Sequence, residues 1–490
     1  MFESARARYD LAVLARRAMI ERGLEPDFPA DALAELGTIN GAAQASGASI
    51  RDLRHLLWCS IDNDDSKDID QITVAERLSD GKVKVFVGIA DVDAVIKTGS
   101  PIDAHARRNT TSVYTGVRTF PMLPEKLSTN LTSLSEGEER LAVVVEMVVG
   151  KEGEIEDFGV YRAIVVNHAQ LTYNGVSTGL EGHNGSGMPD KVYRIPEFEA
   201  QLRLQDQVAQ RMRALRHRHG ALELQTIEPR VVTKDGAVID LVGEQTDRAR
   251  ELIEDFMIGV NGVTAKFLDG RRFPTIRRTV RSPKRWDRIV QVAEEVGEHL
   301  PSEPDARALA EFLSRRRRAD PLRFPDLSLT IVKLLGAGEY TLQLPGEEPT
   351  GHFGLAVRNY AHSTAPNRRY PDLITQRLLK AALDGDKTPY DNEQLSWLAA
   401  HCTHQEDAAN KVERQVHKSA AALLLSKRIG DGFDAIVTGA SSKGTWARVI
   451  HPPVEGRVIR GIHNLDVGDR IRVRLVAVNV ERGFIDFERV

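Results

Sequence analysis

Twelve residues, Ser60-Ile-Asp-Asn-Asp-Asp-Ser-Lys-Asp-Ile-Asp-Gln71, constrain this chain more than any other stretch. Asp62, Asp64, Asp65, Asp68 and Asp70 crowd into it. From Ile69 the sequence Ile-Asp-Gln-Ile-Thr-Val alternates apolar and polar residues, the pattern of a strand. On a strand Asp68 and Asp70 leave by one face, and Asp62 returns to them across a short loop. Carboxylates forced together repel one another, and a cation relieves the repulsion. Hard oxygen donors suit magnesium or manganese. A solvated acidic turn is the bland alternative for a charge run. A calcium loop of the EF-hand kind is excluded, because Lys67 stands where it needs glycine and Thr73 where it needs glutamate. A cluster of helix N-caps is excluded because a strand follows.

At 490 residues and 41% hydrophobic, the chain has room for more than one domain and a large core. A net charge of −4 argues against binding nucleic acid through bulk charge, so an RNA site would be a local basic channel. Cys59 and Cys402 are the only cysteines. No disulfide framework is expected, and a reducing, cytoplasmic location fits. The opening Met-Phe-Glu-Ser-Ala-Arg-Ala-Arg lacks an apolar signal core. No run of about 18 apolar residues is present, so no membrane span is expected. No Gly-rich phosphate loop is present either, so no nucleotide cofactor is expected.

Residues 1–57 read as a helical module. Leu11, Leu14, Ala15 and Ala18 recur at helical spacing before Gly23 and Pro26; a second helix follows Pro29, and a third begins near Ser49. Three short helices suit a helix-turn-helix or winged-helix module, or a plain cap on the next domain. The slight excess of acid over base favours the cap. Residues 58–428 read as a mixed catalytic domain. Strands fall in 69–95 and 141–166, with a hairpin turn at Lys151-Glu-Gly153. Residues 181–190 read as a surface loop. Helices follow: one ending at Gly220, one buried through Leu252, Ile253, Phe256, Met257, Val260 and Val263, one opened by Pro371, and a long one from about Glu393 to Arg428. The arginine-rich runs 271–288 and 314–318 suit solvated faces or a channel wall equally. Residues 429–490 change character, with five short strands of the kind that make an OB barrel. The expected class is α+β: a helical N-terminal module, a large mixed α/β catalytic domain and a C-terminal five-stranded OB barrel.

Residues 60–71 resemble the metal-binding motif of the RNB exoribonucleases, the ribonuclease II / ribonuclease R family. The resemblance continues through Val87-Gly-Ile-Ala-Asp-Val92, Thr111-Ser-Val-Tyr-Thr115 and Phe120-Pro-Met-Leu-Pro124. It returns at Gly351-His-Phe-Gly-Leu355 and at Tyr360-Ala-His-Ser-Thr-Ala-Pro-Asn-Arg-Arg-Tyr-Pro-Asp-Leu373. The last segment resembles the RNA-binding OB domain that closes such chains. The family commonly carries cold-shock barrels before the catalytic domain, and residues 1–57 leave no room for them. The resemblance implies a hydrolytic, processive 3′-to-5′ exoribonuclease that works with magnesium or manganese. It implies a monomer that degrades single-stranded RNA to nucleoside 5′-monophosphates.

The resemblance also implies roles. Asp62, Asp68 and Asp70 are metal ligands and, with Arg368, the catalytic set. The family motif ends on a second adjacent aspartate; here that position is Gln71, whose carbonyl can still coordinate. Arg368 falls at the position that contacts the phosphate near the scissile bond, with Arg369 beside it. Ser363, Ala365 and Asn367 stand where phenylalanine, serine and isoleucine are usual. Tyr114 and Tyr173 match the tyrosines of the terminal-base pocket, and stacking suits an enzyme indifferent to sequence. Glu254 matches the glutamate that holds the terminal sugar, where a 2′-hydroxyl marks RNA. The opposing aromatic of the base clamp is Leu224 here. His352 and His362 flank the arginine motif in supporting positions, and His401-Cys-Thr-His404 reads as structural rather than a zinc site. Gln71 and Leu224 give the alternative its footing: a catalytically weakened RNB protein that binds RNA and regulates it. A further alternative is a transcription or RNA-binding regulator driven by residues 1–57.

Overall fold

A computed structural model describes residues 10–45, 49–182, 187–225, 228–234, 237–244, 247–441, 444–465 and 467–490. The opening Met-Phe-Glu-Ser-Ala-Arg-Ala-Arg and part of the loop expected at 181–190 lie outside the described residues. The chain begins with α1 (Leu11–Glu21) and α2 (Ala30–Thr38). The Asp10 carboxylate caps α1 by accepting from the Ala12 and Val13 N–H groups. The third helix expected after Ser49 does not form. Arg51–Asp52 is a two-residue strand, β1, paired parallel with Ala163 and Ile164. Tertiary burial overrides the local cap signal: Leu56 and Trp58, just downstream, belong to the sheet's core, and Trp58 is fully buried.

The strands β2 (Cys59–Asp62), β3 (Gln71–Arg77), β4 (Val83–Ala90), β7 (Glu139–Val149), β8 (Ile155–Val166) and β9 (Ala169–Thr172) join β1 in a seven-stranded sheet of order β1-β8-β7-β4-β3-β2-β9. Between β4 and β7 come α3 (Pro101–Asn109) and the small hairpin β5 (Val113–Tyr114) and β6 (Thr119–Phe120). From β3 through β4 and β7 to β8 the neighbours are antiparallel. β2 is antiparallel to β3 and parallel to β9. Leu141-Ala-Val-Val-Val145 in β7 is buried throughout, an unbroken apolar run because β7 lies inside the sheet and is covered. The β7–β8 turn contains Gly153 at φ +93°; a Cβ there would lie 2.2 Å from the Arg211 carbonyl oxygen, so glycine alone fits.

After β9 run α4 (Tyr173–Glu181), α5 (Asp190–Tyr193), α6 (Phe198–Arg218), the hairpin β10 (Glu228–Lys234) and β11 (Ala237–Glu244), and α7 (Arg248–Gly270). α6 lies on β3, and α7 lies across β2, β7 and β8. The apolar residues expected to bury this helix do so: Leu252, Phe256 and Val260 are fully buried. β12 (Thr275–Thr279) pairs with β13 (Glu339–Gln343) around a separate helical cluster of α8 (Trp286–Glu295), α9 (Ala306–Ala319) and α10 (Phe324–Leu335). The two arginine-rich runs differ. Arg277 is buried on β12 and donates to the Ala265 carbonyl at 3.0 Å, whereas Arg315 and Arg317 form exposed ion pairs with Glu298 and Glu223.

α11 (Tyr370–Asp384) packs against α7, with Pro371 in its first turn. α12 (Asn392–Leu425) starts from a capping box between Asp391 and Gln394. It is the spine of the molecule. α1 lies on it through Leu14, Ala15, Ala18 and Met19, and it touches β5, β12, β13 and the C-terminal barrel. That barrel is closed: β14 (Gly432–Ser441), β15 (Gly444–Val449), β16 (Glu455–Arg460), β17 (Arg470–Asn479) and β18 (Phe484–Arg489), in the order β14-β15-β16-β18-β17. Alternate residues such as Phe433, Ala435 and Val437 fill it, and the expected five-stranded barrel is present. Arg448 of β15 ties it to α10 through Asp326 at 2.9 Å, both side chains largely buried. No helix among the described residues is long and apolar enough to cross a membrane.

Candidate active site

Three segments of the chain meet at the end of β2. Asp62 is the last residue of that strand, held opposite Thr172 by the parallel pairing with β9. β3 begins at Gln71, so Asp68 and Asp70 are not in the strand but in the extended run that leads into it. The expectation that both lie on one strand face is corrected accordingly. Their grouping comes from tertiary contacts. Asp70 is 2% exposed; its Oδ1 accepts from the Asn367 N–H at 2.9 Å and its Oδ2 from Arg368 Nε at 3.3 Å. Asp68 is half-buried and accepts from the Tyr114 hydroxyl at 3.3 Å. Gln71 is buried and its Nε2 donates to Asp62 Oδ1 at 3.3 Å. Asp62 Oδ2 is buried with no hydrogen-bond partner.

The segment 363–369 folds over this acidic floor. Asp372, wholly buried in the first turn of α11, organises it. Its Oδ1 accepts from the Thr364 and Ala365 N–H groups and from Arg369 Nη2, each at 2.8 Å. Arg369 is therefore turned inward toward Asp372, whereas Arg368 is 46% exposed at its side chain. The Asn367 side chain accepts from the Thr132 hydroxyl at 2.6 Å. Burial pushes Asp70 up to about 7 and Asp62 up to about 6, and the charge of Asp68 adds to both, while the Arg368 guanidinium pulls in the opposite direction.

The other proposed RNA contacts surround this floor. Tyr114 is 41% exposed and, through its hydroxyl, touches Asp68. Tyr173 opens α4 immediately after Thr172, the partner of Asp62. One face of its ring is covered by the Arg250 guanidinium at 4.6 Å, and Arg250 Nη2 also donates to Asn63 Oδ1 at 2.7 Å. Glu254 is exposed on α7 one turn after Arg250, on the same side of the helix. Leu224 lies elsewhere, against the α8–α10 cluster. His362 accepts or donates to the Tyr340 hydroxyl at 2.8 Å, and His352 caps residues 353–355. His401 bonds the Arg107 carbonyl at 2.9 Å and stacks on Trp397. Asn63, Arg250 and Asp372 escaped the sequence reading, which took Asn367 only as a departure from the family pattern. Asp372 alone had a local signal, an acid in the first turn of a helix.

Residues 50–385 match the RNB domain. The chain belongs to the RNB family. Residues 431–490 match the RNase II-type exonuclease C-terminal S1 domain, and this pair of domains is that of a 3′-to-5′ exoribonuclease of the ribonuclease II type. The chain is 28% identical to Ribonuclease R 2 of Lactococcus lactis over 95% of its own length and 73% of that protein's. It is 30% identical to Ribonuclease R of Escherichia coli over 90% of this chain, but spans only 57% of that relative. Its fold matches Mycoplasma genitalium RNase R in complex with double-stranded RNA at a TM-score of 0.86, covering 98% of this chain and 83% of that one at 22% identity.

RNB ribonucleases are generally dependent on a divalent metal. The oxygen donors here fit such an ion in kind, and the orphaned Asp62 Oδ2 is the observation that favours one. Among the described residues, no group of three or more His, Cys, Asp or Glu stands close enough to hold a metal by itself, and Asp70 is engaged with Asn367 and Arg368. A metal-free test follows. The folded-state value of Asp62 lies above its ordinary 3.8, so its stabilising share is complete below about pH 4 and is lost as pH rises through about 6. Asp62→Asn removes the buried, unpaired charge. In EDTA at pH 8 it should be more stable than the parent by roughly 1–3 kcal/mol. The gap in thermal midpoint should narrow as pH falls toward 4. Equal midpoints at pH 8 would show that the charge is already compensated.

Proposed function

We propose that this chain is a hydrolytic, processive 3′-to-5′ exoribonuclease acting on single-stranded RNA in the cytoplasm and releasing nucleoside 5′-monophosphates. The observation that carries this reading is the grouping of a buried Asp70 with the half-buried Asp62 and Asp68 beneath a half-exposed Arg368. Similarity to ribonuclease R proteins, one of them solved with RNA, supports the substrate class. Magnesium, held by Asp62, Asp68, Asp70 and the Gln71 carbonyl, would supply the activated water and neutralise charge on the phosphate. The protein's own groups do the rest. Arg368 binds the phosphate, and its contact with Asp70 holds its Nε end while the remainder of the guanidinium faces the cleft. Arg369 serves through Asp372, keeping the turn in shape. Tyr114 offers the platform for the terminal base, and Tyr173, with Arg250 on one ring face, borders the site. The chain is proposed to work as a monomer.

The direct test uses RNA labelled at either end, with and without magnesium. A 5′ label should shorten in single-nucleotide steps while a 3′ label appears at once as mononucleotide. Internal fragments from both labels would point to an endonuclease.

Gln71 favours a second reading, a catalytically weakened RNB protein that binds RNA and regulates it. Its amide spends a donor on Asp62 and adds no charge. Single-turnover cleavage separates the two. On the first reading Gln71→Asp restores a negative donor, and the magnesium concentration for half-maximal rate should fall. An unchanged requirement would mean that Asp64 or Asp65 already completes the site.

Choice of sugar gives another expected result. Stacking and phosphate contacts do not distinguish RNA from DNA; a partner for the 2′-hydroxyl does. Glu254, exposed in the free protein, is proposed as that partner, and a hydrogen bond from the 2′-hydroxyl to its charged carboxylate would be worth ~1.5–3 kcal/mol. A 5′-labelled RNA with one deoxy sugar should stall at or just before that nucleotide, and Glu254→Ala should weaken the stall. Digestion through the deoxy sugar at full rate would remove Glu254 from the site.

A further inference from the structure

Between Asp62 and Asp68 the acidic loop leaves the sheet. Its later half is tied to the body of the protein: Ser133 Oγ donates to the Lys67 carbonyl and Gln170 Nε2 to the Ser66 carbonyl, each at 3.0 Å. Asn63, Asp64 and Asp65, which follow Asp62 directly, are exposed. Exposed loop residues wander unless a side chain holds them. Arg250 holds Asn63. Its Nη2 donates to Asn63 Oδ1 at 2.7 Å, and its guanidinium carbon lies 4.6 Å from the centre of the Tyr173 ring.

The backbone delivers Arg250 to both contacts. Asp247, the N-cap of α7, uses its Oδ1 to accept from the Arg250 N–H at 2.9 Å and from Ser177 Oγ of α4 at 2.7 Å. The start of α7 is thereby fixed to α4, the helix that Tyr173 opens. Tyr173 follows Thr172, which the β2–β9 pairing sets opposite Asp62. The path is a closed ring: Asp62, Asn63, Arg250, Tyr173, Thr172 and back to Asp62. A guanidinium suits the closing position, because its flat face stacks on an aromatic ring while its edge donates hydrogen bonds. Asp247 Oδ2 stands 3.7 Å from Arg250 Nε, so an ion pair at the helix start is the competing account of this residue.

We propose that Arg250 is a positioning residue that clasps the acidic loop to the base pocket, holding Asn63, and through it Asp62, where a divalent cation is bound. The inference rests on the reading of Asp62, Asp68 and Asp70 as ligands of that cation. Charge alone predicts the opposite sign, since removing one cation from beside the site should tighten the binding of another.

The test is manganese binding to the full chain without RNA, read from loss of the free-ion electron paramagnetic resonance signal, with thermal midpoints in EDTA as the check on folding. Arg250→Ala should weaken binding ~10-fold, and Asn63→Ala should do the same. The double variant should bind no more weakly than either single one, because each removes the same clasp. Arg250→Lys has one point charge for two contacts and should fall between the parent and Arg250→Ala. With Asn63→Ala it carries the test if Arg250→Ala does not fold. Asp247→Asn keeps the cap oxygen, loses the ion pair and should bind like the parent. Unchanged or tighter binding in Arg250→Ala or Asn63→Ala would overturn the inference. So would additive losses in the double variant, or a loss in Asp247→Asn as large as in Arg250→Ala. No manganese binding by the parent would overturn the metal reading itself, and the clasp with it.

Discussion

Asp70→Asn should lower the turnover of RNA by ~10²–10³-fold or more while RNA binding stays within a few-fold of the parent. Asn is the same shape as Asp and keeps an oxygen for the Asn367 N–H, so the turn above the site should survive. Two things are lost. The negative charge that a cation needs is gone, and the new amide NH2 points at Arg368 Nε, a donor facing a donor. Arg368 thereby loses the acceptor that holds it to the acidic floor. Single-turnover rates at saturating magnesium, beside filter binding of the same RNA, separate the effects. A rate within a few-fold of the parent would exclude Asp70 from catalysis.

Arg368→Ala should be nearly as damaging, with a ~10²–10³-fold loss that falls on kcat more than on KM. The guanidinium is the exposed one of the arginine pair, so it is the one that can reach a phosphate, and its charge is most useful when charge builds on that phosphate. Arg368→Lys should recover part of the rate, because a point charge remains but the two-pronged fork does not. Arg369→Ala should differ in kind. Arg369 answers Asp372, and its loss leaves a wholly buried carboxylate with one partner fewer, so thermal stability should fall along with activity. Arg368→Ala retaining full kcat would reassign the phosphate contact. Equal stability losses for Arg368→Ala and Arg369→Ala would show that the two arginines share a structural task.

What could be read before folding was local. The strands within 69–95 and 141–166 and the alternating barrel strands are decided by neighbours a few residues away, and they form where expected. The third N-terminal helix failed because Leu56 and Trp58 had a better place in a sheet completed more than a hundred residues later. The period of two at Ile69 was real but the strand itself begins two residues later; Asp70 keeps one backbone bond, its carbonyl accepting from the Ala90 N–H, while the Asp68 and Asp70 side chains are held by Tyr114, Asn367 and Arg368. The adjacent arginines looked alike in sequence. Only the buried Asp372 decides that one turns in and the other out. Arg250 lies on a helix whose local pattern records packing, so its contacts with Tyr173 and Asn63 left no trace in spacing or composition.

The bond from Asn367 to Asp70 spans 297 positions. During synthesis, at ~5–20 residues per second, the acidic loop waits on the order of 15–60 seconds for the turn that covers it. Through that interval Asp70 has neither its amide nor its arginine. The growing chain, attached to the very kind of polymer it is built to consume, therefore carries its acids without the means to use them until three quarters of it has been made.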